Sequence, residues 1–213
     1  MTATRPNTRC TGGRVAALCV LMVFAAPQVV GGAQRDEVLA ASVQARLHGA
    51  LMPDALPALT VGTAVPAQAW LAAMSTRLAT AWPERAARER LLLNIRYEAT
   101  RAGLDPQLVL ALIEVESAFR GYAISSAGAQ GLMQVMPFWV ERIGSPNDNL
   151  FDQVTNLRFG CVILRHYLDR ENGDLGRALA RYNGSLGNAQ YPQQVRAAWL
   201  AWQAAAPRPT TGE

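Results

Sequence analysis

Between residues 35 and 203, apolar side chains recur at helical spacing in one segment after another, and no stretch sustains a two-residue alternation. This periodicity restricts the chain to an all-α fold, because a half-buried strand needs a repeat of two and an amphipathic helix a repeat near 3.6. Leu39, Val43 and Leu47 form one stripe and predict a helix over 35–51. Pro53, Pro57 and Pro66 mark an irregular linker over 52–66. Trp70, Met74, Leu78 and Trp82 form a second stripe, suited to core packing or to a ligand face. Pro83 breaks that pattern and can open the next helix as its first residue. Further helices are predicted over 84–101, from the Asp105-Pro106 start to Ser117, and over 132–143, 155–168, 175–182 and 192–203. A Gly-, Ala- and Ser-rich loop separates the second and third of these, over 118–130. No repeat of 20 to 50 residues is visible.

The first 33 residues read differently. Arg5, Arg9 and Arg14 precede an uninterrupted apolar run from Val15 to Ala26, and Gly31-Gly32-Ala33 follows. A basic segment, a short apolar segment and small residues form a secretory signal pattern, with cleavage expected after Ala33 and a mature chain in the periplasm or outside the cell. The run would span only about 18 Å as a helix, against a bilayer core of about 30 Å. An uncleaved anchor is the alternative. Leu18, before Cys19, stands where a lipoprotein signal needs a small residue.

Cleavage changes the charge balance. All 20 basic residues are Arg, and losing the three in the signal leaves 17 against 16 acids. The remaining Arg residues are scattered, which argues against a nucleic-acid partner. Only Cys161 remains of the three cysteines, so neither an internal disulfide nor a structural zinc site is expected, and its apolar neighbours suggest a buried thiol. His48 and His166 are too few and too far apart to argue for a metal, and no cofactor is expected.

The chemistry concentrates in the helix ending at Ser117. Glu114 and Glu116 lie about 200° apart around it, so they cannot form a paired-carboxylate site. Glu116 follows Val109, Leu112 and Ile113 on the apolar side, while Glu114 points the opposite way. A carboxyl on an apolar face is costly to ionise, which favours the protonated state a general acid needs near neutral pH. Helix geometry alone equally allows a helix-end carboxylate in water or bound to an Arg.

Glu116-Ser117 is followed, nine residues after the Glu, by Ser125-Ser126-Ala127-Gly128-Ala129-Gln130-Gly131-Leu132-Met133-Gln134-Val135-Met136-Pro137. This arrangement resembles the soluble lytic transglycosylase family, marked by Glu-Ser and Ser-x-x-Gly-Ala-x-Gly-Leu-Met-Gln-x-Met-Pro. Ala178 to Asn183 resembles the family's second signature, and Asn156 to Gly160 its intervening helix. The resemblance covers roughly residues 85 to 203. Two departures stand out: Gly184-Ser185 replaces the usual Ala-Gly after Tyr-Asn, and Arg120-Gly121 replaces an Asn-Pro.

The resemblance implies a lysozyme-like helical catalytic domain over 84–205; outside it lie an N-terminal helical extension and linker of unassigned role over 34–83 and a short tail over 206–213. It implies cleavage of the β-1,4 bond between N-acetylmuramic acid and N-acetylglucosamine in peptidoglycan. In such a reaction one Glu serves first as acid and then as base, and the muramoyl 6-hydroxyl closes a 1,6-anhydro ring, as a lyase rather than a hydrolase. Glu116 would be the catalytic residue, with Ser125, Gln134, Met136, Tyr182 and Asn183 as substrate-binding residues. Gln134 offers a donor and an acceptor to an acetamido group, and Gly128 and Gly131 allow close backbone approach. Tyr182 can hydrogen-bond toward Glu116 and stack on a sugar, or be structural; Asn183 more naturally holds its loop. Asp148 and Asp152 follow a turn and suit capping, or a second carboxylate in a hydrolase. The alternatives are a muramidase like goose-type lysozymes and an inactive peptidoglycan-binding accessory. The expected partner is the glycan strand bound by a monomer; an envelope-spanning secretion or conjugation machine is a further expectation that no residue supports.

Overall fold

A computed structural model of the protein describes residues 33–52 and 65–205. The expected signal segment over 1–33, apart from its last residue Ala33, most of the proline-bearing linker and the 206–213 tail lie outside the described residues. Within them the fold is all-α. The helices are α1 (Ala41–Leu51), α2 (Val65–Leu78), α3 (Arg85–Arg101), α4 (Pro106–Ser117), α5 (Phe138–Ile143), α6 (Gln153–Arg170), α7 (Leu175–Tyr182) and α8 (Gln190–Ala205). No described helix is long and apolar enough to cross a membrane.

Helix α4 is the central element. Asp105 caps it by accepting from Gln107 N at 2.8 Å, with Pro106 in its first turn. Leu108 to Ile113 are all buried, so the helix is apolar around its whole circumference and must be enclosed. Helix α8 covers one flank through Tyr191, Val195 and Trp202, and α3 covers another through Leu91, Leu92 and Ile95. Leu47 and Leu51 of α1 and Trp70, Met74 and Leu78 of α2 enter the same core, so these helices share one interior with the later ones. The tryptophan stripe is thus mainly packing, with Trp82 at its half-buried end donating from Nε1 to Phe119 O at 3.0 Å.

Three expectations are corrected. Residues 33–40 are extended rather than helical, and α1 begins only at Ala41. Their polar side chains make long-range contacts that outweigh the weak preference of a short helix end. Residues 131–135 form a turn, leaving α5 only six residues from Phe138. Here Gly131 and Gln134 hold positive φ angles of 76° and 50°, which interrupts a helix. Pro83 stands outside α3, which is capped by Glu84 accepting from Ala86 N and Ala87 N. Two isolated antiparallel bridges, Ile124 with Gln130 and Gln130 with Val135, are the β-type pairing among the described residues.

Candidate active site

The site is built where α4 ends. Ala118 and Phe119 both adopt left-handed backbone, at φ 49° and 61°, and turn the chain sharply after Ser117. Such angles are costly without glycine. They are held by burial of Phe119 edge-on against Trp202, with ring centroids 5.8 Å apart, and by the bond from Trp82 to Phe119 O. Ser117 Oγ then donates to Leu132 O at 2.7 Å, pinning the helix end to the Gly131–Gln134 turn.

Asn156 of α6 organises that turn. Its Oδ1 accepts from Met133 N at 2.8 Å, and its Nδ2 donates to Gln130 O and Leu150 O, each at 2.9 Å. One turn along α6, Gly160 makes room for Met133, whose side chain would collide with a Cβ at that position. Tyr182 Oη donates to Met133 O at 2.7 Å. Helices α4, α6 and α7 therefore converge on Gln130, Leu132 and Met133, at the start of the glycine-bearing turn.

Glu116 immediately precedes Ser117, 5% exposed and in no ion pair among the described residues. Of the two environments left open by helix geometry, the apolar one is realised. Burial pushes its carboxyl up to about 8, and a hydrogen bond from Tyr191 opposes the shift. Tyr191 Oη donates to Glu116 Oε1 at 2.5 Å. Burial and the adjacent carboxyl raise both Tyr182 and Tyr191 well above the usual phenol value, so both remain donors. Glu114 faces the other way, exposed, where it accepts from Trp202 Nε1 at 2.5 Å and sits 3.9 Å from Arg77.

The other residues singled out from the sequence take distinct positions. Tyr182 is fully buried and donates to Met133 O rather than to Glu116, so of the two roles open to it the contacts are those of the structural one. Gln134 is 4% exposed, and its Nε2 is directed to Gly131 O and Ala123 O at 3.0 and 3.2 Å. Its amide donors are thus committed to the loop. Ser125 Oγ accepts from Ala129 N at 3.1 Å, closing the hairpin. Met136 is half-buried at the end of the turn. Asn183 is 2% exposed, with its Nδ2 making no hydrogen bond among the described residues. Asp148 closes a turn, accepting from Ser145 N, and Asp152 is the N-cap of α6, accepting from Thr155 N, each at 2.8 Å. Cys161 is buried, which raises its thiol. Among the described residues, no group of three His, Cys, Asp or Glu is placed to hold a metal ion.

Sequence reasoning missed Tyr191 and Asn156. Tyr191 shares an α8 stripe with Val195 and Trp202, and that stripe covers α4. An aromatic hydroxyl there was the available signal. From the sequence, Asn156 is only the start of the segment resembling the family's intervening helix, with no role given to its side chain.

Fold and site together define, among the described residues, an all-α protein with a buried carboxyl at the end of α4, raised by burial and bonded to Tyr191, next to a glycine-bearing turn pinned by Ser117. Residues 94–199 match the Transglycosylase SLT domain, and through them the chain belongs to that family. A transglycosylase of Enterobacteria phage PRD1 is 36% identical over 93 residues, covering 44% of this chain and 34% of the phage protein. The membrane-bound lytic murein transglycosylase C of Glaesserella parasuis serovar 5 is 40% identical over 84 residues, covering 35% of this chain and 23% of that protein. The chain therefore spans about a third or less of these curated relatives. Among solved structures, an inactive mutant of the lytic transglycosylase Slt from Pseudomonas aeruginosa aligns with a TM-score of 0.48 and 22% identity, covering 83% of this chain and 39% of that one.

Proposed function

We propose that the protein is an exported lytic transglycosylase that cleaves the bond between N-acetylmuramic acid and N-acetylglucosamine in peptidoglycan, with Glu116 as its catalytic acid and base. The observation that carries the reading is the buried Glu116 carboxyl, raised to about 8 and bonded to Tyr191. At neutral pH this group is protonated and can deliver its proton to the glycosidic oxygen. The carboxylate formed is buried, and the Tyr191 hydroxyl stabilises it at the moment of charge development. It can then accept a proton from the muramoyl 6-hydroxyl as that oxygen attacks the anomeric carbon. The donated and recovered protons balance, and a 1,6-anhydro end results.

The supporting arrangement favours this route over hydrolysis. A hydrolase of the ordinary type needs a second carboxylate as nucleophile or to activate water. Asp148 and Asp152, the residues considered for that part, are committed to a turn and a helix cap. An attacking hydroxyl tethered to the reacting sugar has a high effective concentration and needs less activation than free water. Ser125, Gln134 and Asn183 shape the loops of the cleft, with Met136 on its edge. The names of the relatives agree with this chemistry, and the basic and apolar N-terminal pattern supports export.

Mass spectrometry of peptidoglycan digested by the purified protein tests the proposal. The expected products carry 1,6-anhydromuramoyl ends, lighter by one water than reducing muramoyl ends. Predominantly reducing ends would instead establish a goose-lysozyme-like hydrolase.

A further inference from the structure

Residues 33–40 pack against the loops proposed above to shape the glycan cleft. Gln34 is 4% exposed, and its side-chain amide bridges two backbone groups of the turn: Nε2 donates to Gln134 O at 3.0 Å and Oε1 accepts from Met136 N at 2.8 Å. On the opposite side, Ala33 O lies so close to Gly184 that a Cβ there would collide with it. Before the expected cleavage after Ala33 the segment therefore touches both the loop carrying Gln134 and Met136 and the loop following Tyr182-Asn183; from Gln34 onward it keeps the first of these contacts. Further along, Asp36 forms a paired contact with Arg142 of α5, at 3.1 and 3.0 Å. Glu37 bonds Arg170 of α6 and reaches Arg181 of α7 at 3.3 Å. Leu39 packs against the core, while Val38 is 93% exposed.

These contacts differ in kind. Gln34 presents a carbonyl acceptor and an N–H donor, the same two groups that an N-acetyl sugar carries. It occupies one backbone acceptor and one backbone donor beside residues assigned above to the glycan cleft. The acidic contacts lie mostly on the surface, where ion pairs hold weakly and are screened by salt. The carboxamide thus sits against these loops on a tether that can be released.

The geometry points to residues 34–40, the part of the segment that remains after the expected cleavage, as a pseudo-substrate strap, whose Gln34 amide holds the Gln134 and Met136 backbone groups until a glycan's N-acetyl group displaces it. This inference rests on the proposed function, since only a glycan-binding cleft gives the strap something to compete with. A cleft occupied for much of the time binds its ligand more weakly, in proportion to the open fraction. The strap therefore raises KM for glycan while leaving the chemistry at Glu116 unaltered.

Chitotetraose, an oligomer of N-acetylglucosamine, is a suitable probe for calorimetric titration of the full chain. Two variants release the strap by different means: Gln34→Ala removes the amide, and Asp36→Asn with Glu37→Gln removes the tether without touching the cleft. Both are expected to bind the tetramer about three- to tenfold tighter than the unaltered protein and to show a lower KM on peptidoglycan at similar kcat. Equal or weaker binding by both folded variants overturns the strap while leaving the transglycosylase reading in place. If neither they nor the unaltered protein bind the tetramer, and the unaltered protein releases nothing from peptidoglycan, the functional reading fails and the strap with it.

Discussion

The hydroxyl of Tyr191 sits 2.5 Å from the Glu116 carboxyl, joining the start of α8 to the end of α4 across 75 residues of sequence. The bond has one direction, from phenol to carboxyl. It strengthens when Glu116 loses its proton, so its largest contribution falls after the glycosidic oxygen has been protonated.

Removing that hydroxyl separates positioning from packing. Tyr191→Phe keeps the ring that covers α4 and loses the donor. Because the hydrogen bond lowers the Glu116 pKa, its loss raises it, and the alkaline limb of the kcat/KM profile moves upward from about pH 8. Activity near neutral pH is expected to fall roughly ten- to hundredfold, the loss of one hydrogen bond to a charged group of about 1.5–3 kcal/mol. A merely structural tyrosine would leave the limb in place.

The two glutamates of α4 should behave oppositely. Glu116→Gln is expected to reduce peptidoglycan cleavage by about 10²- to 10⁴-fold or more, as for loss of a positioned general acid. Glu114→Gln alters only the exposed contact with Trp202 and Arg77 and should retain most activity. Turbidity loss of a peptidoglycan suspension, with circular dichroism to verify folding, measures both.

The same Glu116→Gln substitution should stabilise the fold in a pH-dependent way. The native carboxyl titrates near 8, against an ordinary value of 4.5. Between these pH values the unfolded chain has released a proton that the folded chain keeps, so stability falls as pH rises, by up to about 1.4 kcal/mol per unit. The amide does not ionise and can still accept from Tyr191. The melting temperature of the variant should therefore exceed that of the unaltered protein by more at pH 8 than at pH 5. A constant difference would contradict the buried, protonated state.

Asn156 offers a test of the turn rather than of the acid. Asn156→Ala removes the partner of Met133 N and Leu150 O in a buried site and one of the two donors to Gln130 O, which keeps Val135 N. The expected cost is about 3 kcal/mol or more, read from urea unfolding. Activity should fall further than the unfolded fraction explains, because the same turn carries the Gln134 and Met136 backbone groups.

Several features were legible in the chain itself because their causes are local. Asp105-Pro106 announces α4, and the 175–182 pattern matches α7 end for end. The angular separation of Glu114 and Glu116 follows from helix geometry alone, and so does the assignment of Glu116 to the apolar side. Tertiary structure decided what depends on partners far away in sequence. Tyr191, rather than Tyr182, meets Glu116, because the packing of α8 on α4 selects the hydroxyl that reaches it. Residues 131–135 turn instead of continuing a helix, because Asn156 of α6 takes Met133 N and the positive φ angles at Gly131 and Gln134 break helical geometry. Residues 33–40 lie extended, because Gln34, Asp36 and Glu37 find partners between Gln134 and Arg181. Periodicity and capping report interactions within a few residues; which polar groups meet across about a hundred residues is set only when the helices pack.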